Sequence, residues 1–159
     1  NSLEDGMAPL LDPAALIAGC VAYKAGVVER DEREQGERKL LNLGHTVGHA
    51  IEKCSGYTVP HGHAVAAGLA IIARASARLG WTSGDGARTA ERICSALRLT
   101  GLPISTEYTP EALAEAALAD KKRAGDSITI VVPKEIGACA LMEIPVSELL
   151  FVIGTGWEA

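Results

Sequence analysis

Aromatic residues are scarce in this chain of 159 residues. There are one phenylalanine, two tryptophans and three tyrosines, about 4% of the total. Apolar residues nonetheless make up 48%, so a core has to be assembled from Ala, Leu, Ile and Val. An alanine-rich sequence short of aromatic and β-branched runs favours helix. A basic stripe is also missing. With 15 Lys and Arg against 20 Asp and Glu, the net charge is -5, which excludes nucleic acid as the main partner because nothing replaces its counterions. Every apolar run is interrupted by Lys or Arg well before membrane-spanning length. No basic-then-apolar leader with a cleavage site opens the chain, and the expected compartment is the cytoplasm. The four cysteines, Cys20, Cys54, Cys94 and Cys139, contain no Cys-x-x-Cys pair. A thiolate zinc ribbon is excluded, and they read as small buried residues. Walker-type loops, Gly-x-Gly-x-x-Gly after a strand and Gly-x-Ser-x-Gly elbows are all absent, so the chain carries no nucleotide cradle of its own and no serine-hydrolase elbow.

What is present is concentrated. All four histidines fall between positions 45 and 63, in Asn42-Leu43-Gly44-His45-Thr46-Val47-Gly48-His49-Ala50-Ile51-Glu52 and Pro60-His61-Gly62-His63-Ala64-Val65. His45 and His49 are four apart and share one helix face. His61 and His63 follow a short Gly/Pro-containing connection that can fold back on that helix. Pooled imidazoles suit a divalent metal, acid–base chemistry, or both. A His pair at this spacing is also ordinary on a helix surface. Among the cations, Lys24 shares a helical stripe with Leu16, Cys20 and Val27, a charge on an otherwise apolar face. Arg38 has the fork geometry that grips a carboxylate, and Lys121, Lys122 and Arg123 precede Gly125 on an expected loop. Asn42 either hydrogen-bonds a substrate or caps the histidine helix.

The pattern predicts a mainly α fold over residues 1–159, a helical bundle with a small late β-hairpin. Asp12-Pro13 starts a helix reaching Val28, and the charged run after it turns at Gly36. A second helix holds His45 through Lys53. A third, apolar nearly all round and therefore buried, runs from His61 or His63 to Leu79. A fourth starts at Ser83-Gly84-Asp85 and stops before Gly101. A fifth starts at Thr109-Pro110-Glu111 and runs to about Lys122. Ser127–Pro133 and Cys139–Ile144 form the hairpin, and residues 146–153 a short closing helix.

The string from Asn42 to Glu52, preceded by Lys24-Ala25-Gly26-Val27-Val28 and Asp31-Glu32-Arg33-Glu34 and followed by His61-Gly62-x-Ala64-Val65-Ala66 and Asp120-Lys121-Lys122, resembles 3-dehydroquinate synthase in order and over nearly the whole chain. The likeness is to the C-terminal, mostly helical half of that family. The N-terminal half, which in the family binds NAD, has no counterpart here. The resemblance implies a phosphate-eliminating carbon–oxygen lyase of the shikimate route to aromatic amino acids. Its substrate is 3-deoxy-D-arabino-heptulosonate 7-phosphate (DAHP), a phosphorylated sugar acid, and its product is 3-dehydroquinate. It also implies a divalent metal, zinc or cobalt, a catalytic NAD held by the missing domain, and a homodimer of the longer enzyme. Carried over by position, His45 and His61 resemble metal ligands and His49 a catalytic histidine beside the substrate. Lys24 and Arg38 resemble the pair holding the carboxylate. Asn42, Lys121 and Lys122 resemble phosphate contacts, and Glu34 an acid of the surrounding polar network. Two departures stand out. The family's third metal ligand, a glutamate, lies upstream of Asn1, and His63 stands where many members have Glu. On this reading the isolated piece is inactive. A sister cyclase of the 2-deoxy-scyllo-inosose synthase kind is the alternative, disfavoured by Lys24 and Arg38, whose cationic pair a carboxylate-free substrate does not need. A non-catalytic helical metal-binding module is the other.

Overall fold

A computed structural model describes residues 12–33, 36–119 and 125–158. They fall into two compact units, one ending at Leu41 and one beginning at Asn42. The first unit is built on helix α1, Pro13–Arg30. Its start is as the sequence predicts: the Asp12 side chain accepts from Ala14 N at 3.0 Å, and Pro13, which has no amide hydrogen to leave unpaired, takes the first position. At its end Arg30 forks onto both carboxylate oxygens of Glu37, and the Asp31 carboxylate accepts from the amides of Gly36 (2.8 Å) and Arg38 (3.0 Å), so the charged run closes into a turn. A 3-10 helix follows at Glu37–Asn42. The expected apolar stripe is not a buried one. Leu16, Cys20 and Lys24 are exposed and only Val27 is buried.

The second unit holds α2 (His45–Cys54), α3 (His61–Arg78), α4 (Gly86–Leu99) and α5 (Pro110–Leu118). The antiparallel strands β1 (Ser127–Glu135) and β2 (Ala138–Pro145) come next, then a 3-10 turn at Val146–Glu148 and α6 (Leu149–Gly156). The mainly α reading with a late hairpin holds. Helix α5 ends at Leu118, earlier than expected, and Lys122 lies outside the described residues. Helix α3 is the hub, buried from Ala64 to Ser76 over most of its surface, with α2, α4, α6 and β1 packed around it. Ile51, Ile71, Ile72, Leu113, Ile128, Ile130, Leu149 and Ile153 form the centre, an aliphatic core as the composition requires. Of the cysteines only Cys94 is buried; Cys54 and Cys139 are half-buried and Cys20 is exposed, because its helix face is uncovered.

Hairpin register pairs Ile128 with Ile144 and Ile130 with Met142, with an irregularity between Pro133 and Glu135. There the outer edge of β1 is met by the loop before α4. Ser83 N donates to Lys134 O at 2.7 Å, Thr82 Oγ1 donates to Pro133 O at 3.1 Å, and Lys134 Nζ returns to Trp81 O.

Candidate functional site

Two close backbone approaches set the position of the histidines. Gly44, the residue before α2, has φ +79°, a conformation that suits glycine, and a Cβ there would lie 2.8 Å from Leu69 N. Further along, α2 and α3 cross at Gly48 and Gly68. A Cβ on Gly68 would strike Gly44 O and come within 2.7 Å of Gly48 N, and one on Gly48 would come within 2.9 Å of Val65 Cα. The two helices touch through backbone, which brings the first turns of both together.

Three rings meet there. Ring centroids are 5.5 Å apart for His45 and His49, 5.3 Å for His45 and His61, and 5.9 Å for His49 and His61. Two of the rings are oriented through the same nitrogen. His45 Nδ1 lies 3.2 Å from Leu43 O, which can only accept, so Nδ1 carries the proton and Nε2 keeps its lone pair. His61 Nδ1 lies 3.1 Å from Glu52 Oε1, and an ionised carboxylate imposes the same tautomer on a neutral ring. Burial lowers the pKa of His45, further helped by the neighbouring imidazoles, which keeps it neutral near pH 7. Ligand atoms from His49, Glu52 and His61 lie within 4.8 Å of one another. Neutral imidazole nitrogens suit zinc or cobalt, and a carboxylate hydrogen-bonded to one of the rings orients that ring for the ion.

The His45 and His49 rings line a cavity of about 480 Å3, together with Asn42, Glu52, Lys53 and Tyr57. Asn42 is therefore at the site; it does not cap α2, whose N-cap is Gly44. Sequence reasoning assigned no role to Glu52, Lys53 or Tyr57. Glu52 was legible, since positions 45, 49 and 52 form one helical stripe. Lys53 lies four residues after His49 and reaches toward Ala116 O at 3.5 Å. Tyr57 gave no signal; its φ of +63°, rare for a bulky residue, follows from the tight turn in which Tyr57 N donates to Glu52 O at 2.7 Å.

His63 does not join the cluster. Two positions from His61 on a helix it points elsewhere, into a separate cavity of about 250 Å3 with Val59, Glu107 and Tyr108. Lys24 and Arg38 belong to the first unit. Lys24 is exposed on α1, and Arg38 donates from its guanidinium to Glu32 O at 2.8 Å. Glu34, Lys121 and Lys122 lie outside the described residues.

A family profile described as "3-dehydroquinate synthase C-terminal" matches residues 4–123. Among curated relatives, 3-dehydroquinate synthase of Halorhodospira halophila is 47% identical over 131 residues, covering 79% of this chain and 36% of its own. That of Pyrococcus abyssi is 41% identical over 140 residues, covering 87% and 40%. The chain thus spans about two fifths of the length of these relatives. A crystal structure of 2-deoxy-scyllo-inosose synthase complexed with carbaglucose-6-phosphate, NAD+ and Co2+ shares the fold, with a TM-score of 0.72, 22% identity, and coverage of 90% of this chain and 41% of that one. Family profile, relatives and the His45–Glu52 stripe agree: the chain belongs to the 3-dehydroquinate synthase family, in the part the profile describes as C-terminal.

Proposed function

We propose that this chain is the metal- and substrate-holding part of a 3-dehydroquinate synthase, a cytoplasmic lyase that converts DAHP to 3-dehydroquinate and phosphate. One observation carries the reading: His45 and His61, from two helices, are both held through Nδ1 with ring centroids 5.3 Å apart, which leaves two Nε2 lone pairs on neighbouring rings. Those two nitrogens are the metal ligands. A metal bound there supplies Lewis acidity, polarising hydroxyl and carbonyl oxygens of the sugar acid. Glu52 fixes the tautomer and orientation of His61 and raises its basicity. His49, exposed at the cavity mouth, moves protons at the substrate oxygens. Asn42 donates to the phosphate, joined by Lys121 and Lys122. Lys24 and Arg38 hold the carboxylate, Arg38 by its planar fork. Glu34 completes the polar network. NAD, present in the 2-deoxy-scyllo-inosose synthase complex, is assigned to a separate domain of a longer, homodimeric enzyme.

Isothermal titration of zinc and cobalt tests the site. Tight binding weakens at least 100-fold in His45→Ala and in His61→Ala; binding indifferent to both substitutions refutes the assignment. A phosphate-release assay on DAHP tests the activity. The chain alone gives no turnover, turnover appears when a family NAD-binding domain is supplied, and a neutral sugar phosphate is not consumed.

A further inference from the structure

A second cavity, about 400 Å3, lies between α3, α4 and the segment after α6, away from the histidines. Three arginines line it. Arg74 is buried; its Nε contacts Glu158 Oε2 at 3.1 Å, and one terminal nitrogen donates to Ile104 O at 2.8 Å. Arg78 contacts Glu158 Oε1 at 2.6 Å and donates to Thr155 O at 2.6 Å. One carboxylate therefore bridges two guanidiniums, an oxygen to each. On α4, Arg98 contacts Glu91 Oε1 at 3.0 Å, and Ser95 Oγ donates to the same oxygen at 2.9 Å.

In an ordinary surface cluster of this kind each ion pair contributes little. Three features set this one apart. Residues 74–98 carry five arginines and two acids in a chain whose net charge is -5, so positive charge is segregated here. Arg74 and Arg78 are each anchored by a backbone carbonyl, so their positions do not depend on Glu158. A buried guanidinium requires an anion, and the one that serves it comes from a half-exposed side chain beyond the last helix. The carboxylate can leave while its receptors stay.

We propose that this cavity is a second anion site, taking a small ligand with two oxyanion groups, a dicarboxylate or a phosphorylated carboxylate. Glu158 and Glu91 mark its two subsites and compete for them internally. The guanidinium forks supply the paired hydrogen bonds that carboxylate and phosphate oxygens accept, and the volume suits a small metabolite. The site is independent of the metal chemistry proposed above.

The test uses the metal-free chain in EDTA at low ionic strength, followed through the arginine Nε–H NMR signals. Succinate and phosphoglycolate are the two-headed probes; acetate and inorganic phosphate are the one-headed ones. The two-headed probes bind Glu158→Gln at least tenfold more tightly than the unsubstituted chain and move the Arg74 signal. Binding is lost in Arg78→Gln/Arg98→Gln, which replaces two half-exposed side chains and keeps its helical circular dichroism. His49→Ala binds as the unsubstituted chain does. No gain in Glu158→Gln, equal affinity for one-headed probes, or loss in His49→Ala instead of the arginine variant would each overturn the proposal.

Discussion

Helices α1 and α3 are both 18 residues long, both rich in alanine and aliphatic residues, and they meet opposite fates. In α3 eleven residues are buried; in α1 only Val27 is, while Ile17, Val21 and Tyr23 are more than 60% exposed. Hydrophobicity does not separate them. The difference is in what packs on them: α2, α4 and α6 approach α3 closely at Gly68 and its alanines, whereas Ile17, Val21 and Tyr23 on α1 stay exposed. Close approach multiplies dispersion contacts and fixes distances to fractions of an ångström. That is why the histidines stand on α2 and the start of α3.

This contrast can be broken at several points. Ile71→Ala, at the fully buried centre of α3, costs about 3 kcal/mol, read as a loss of about 8 °C in Tm; the matched change Val21→Ala on α1 stays within about 0.5 kcal/mol. A larger effect on α1 than on α3 would reverse the comparison. Gly68→Ala forces α2 off α3 and costs about 2 kcal/mol. It also weakens metal binding measured by titration, although it touches no ligand. Glu52→Ala leaves Tm nearly unchanged but lowers metal affinity about 10- to 100-fold, because His61 loses its orienting partner. The smallest effect is one of pH. Since burial holds the His45 pKa below its unfolded value, the unfolded chain takes up the proton first. Stability is full above about pH 6.5 and falls as pH drops through the folded value. His45→Gln flattens that part of the metal-free Tm–pH profile.

Much of this was legible in the sequence. The capped helix starts at Asp12-Pro13 and Thr109-Pro110, the buried third helix and the hairpin all follow from local chemistry, and the His45–His49 spacing puts those two rings side by side. Where reading failed, the answer depended on tertiary neighbours. The Lys24 stripe looked apolar and inward but its face is uncovered. The string His61-Gly62-His63 left the role of His63 open, and a two-residue step on a helix turns it away from His61. Glu52 was legible as a member of the His45–His49 stripe, and its 3.1 Å contact with His61 adds the partner that the stripe does not name. Tyr57 and the Arg74–Glu158 bridge join positions that no local pattern connects.

The loop that reaches β1 has a consequence beyond holding the hairpin. An open strand border is a template on which another molecule can continue the sheet, the first step toward fibrils. At Pro133 and Lys134 the carbonyls are already engaged by Thr82 and Ser83, so the chain blocks its own template at that end of the strand. The same few residues that tether a two-stranded ribbon, too small to persist by itself, also guard against self-propagating assembly.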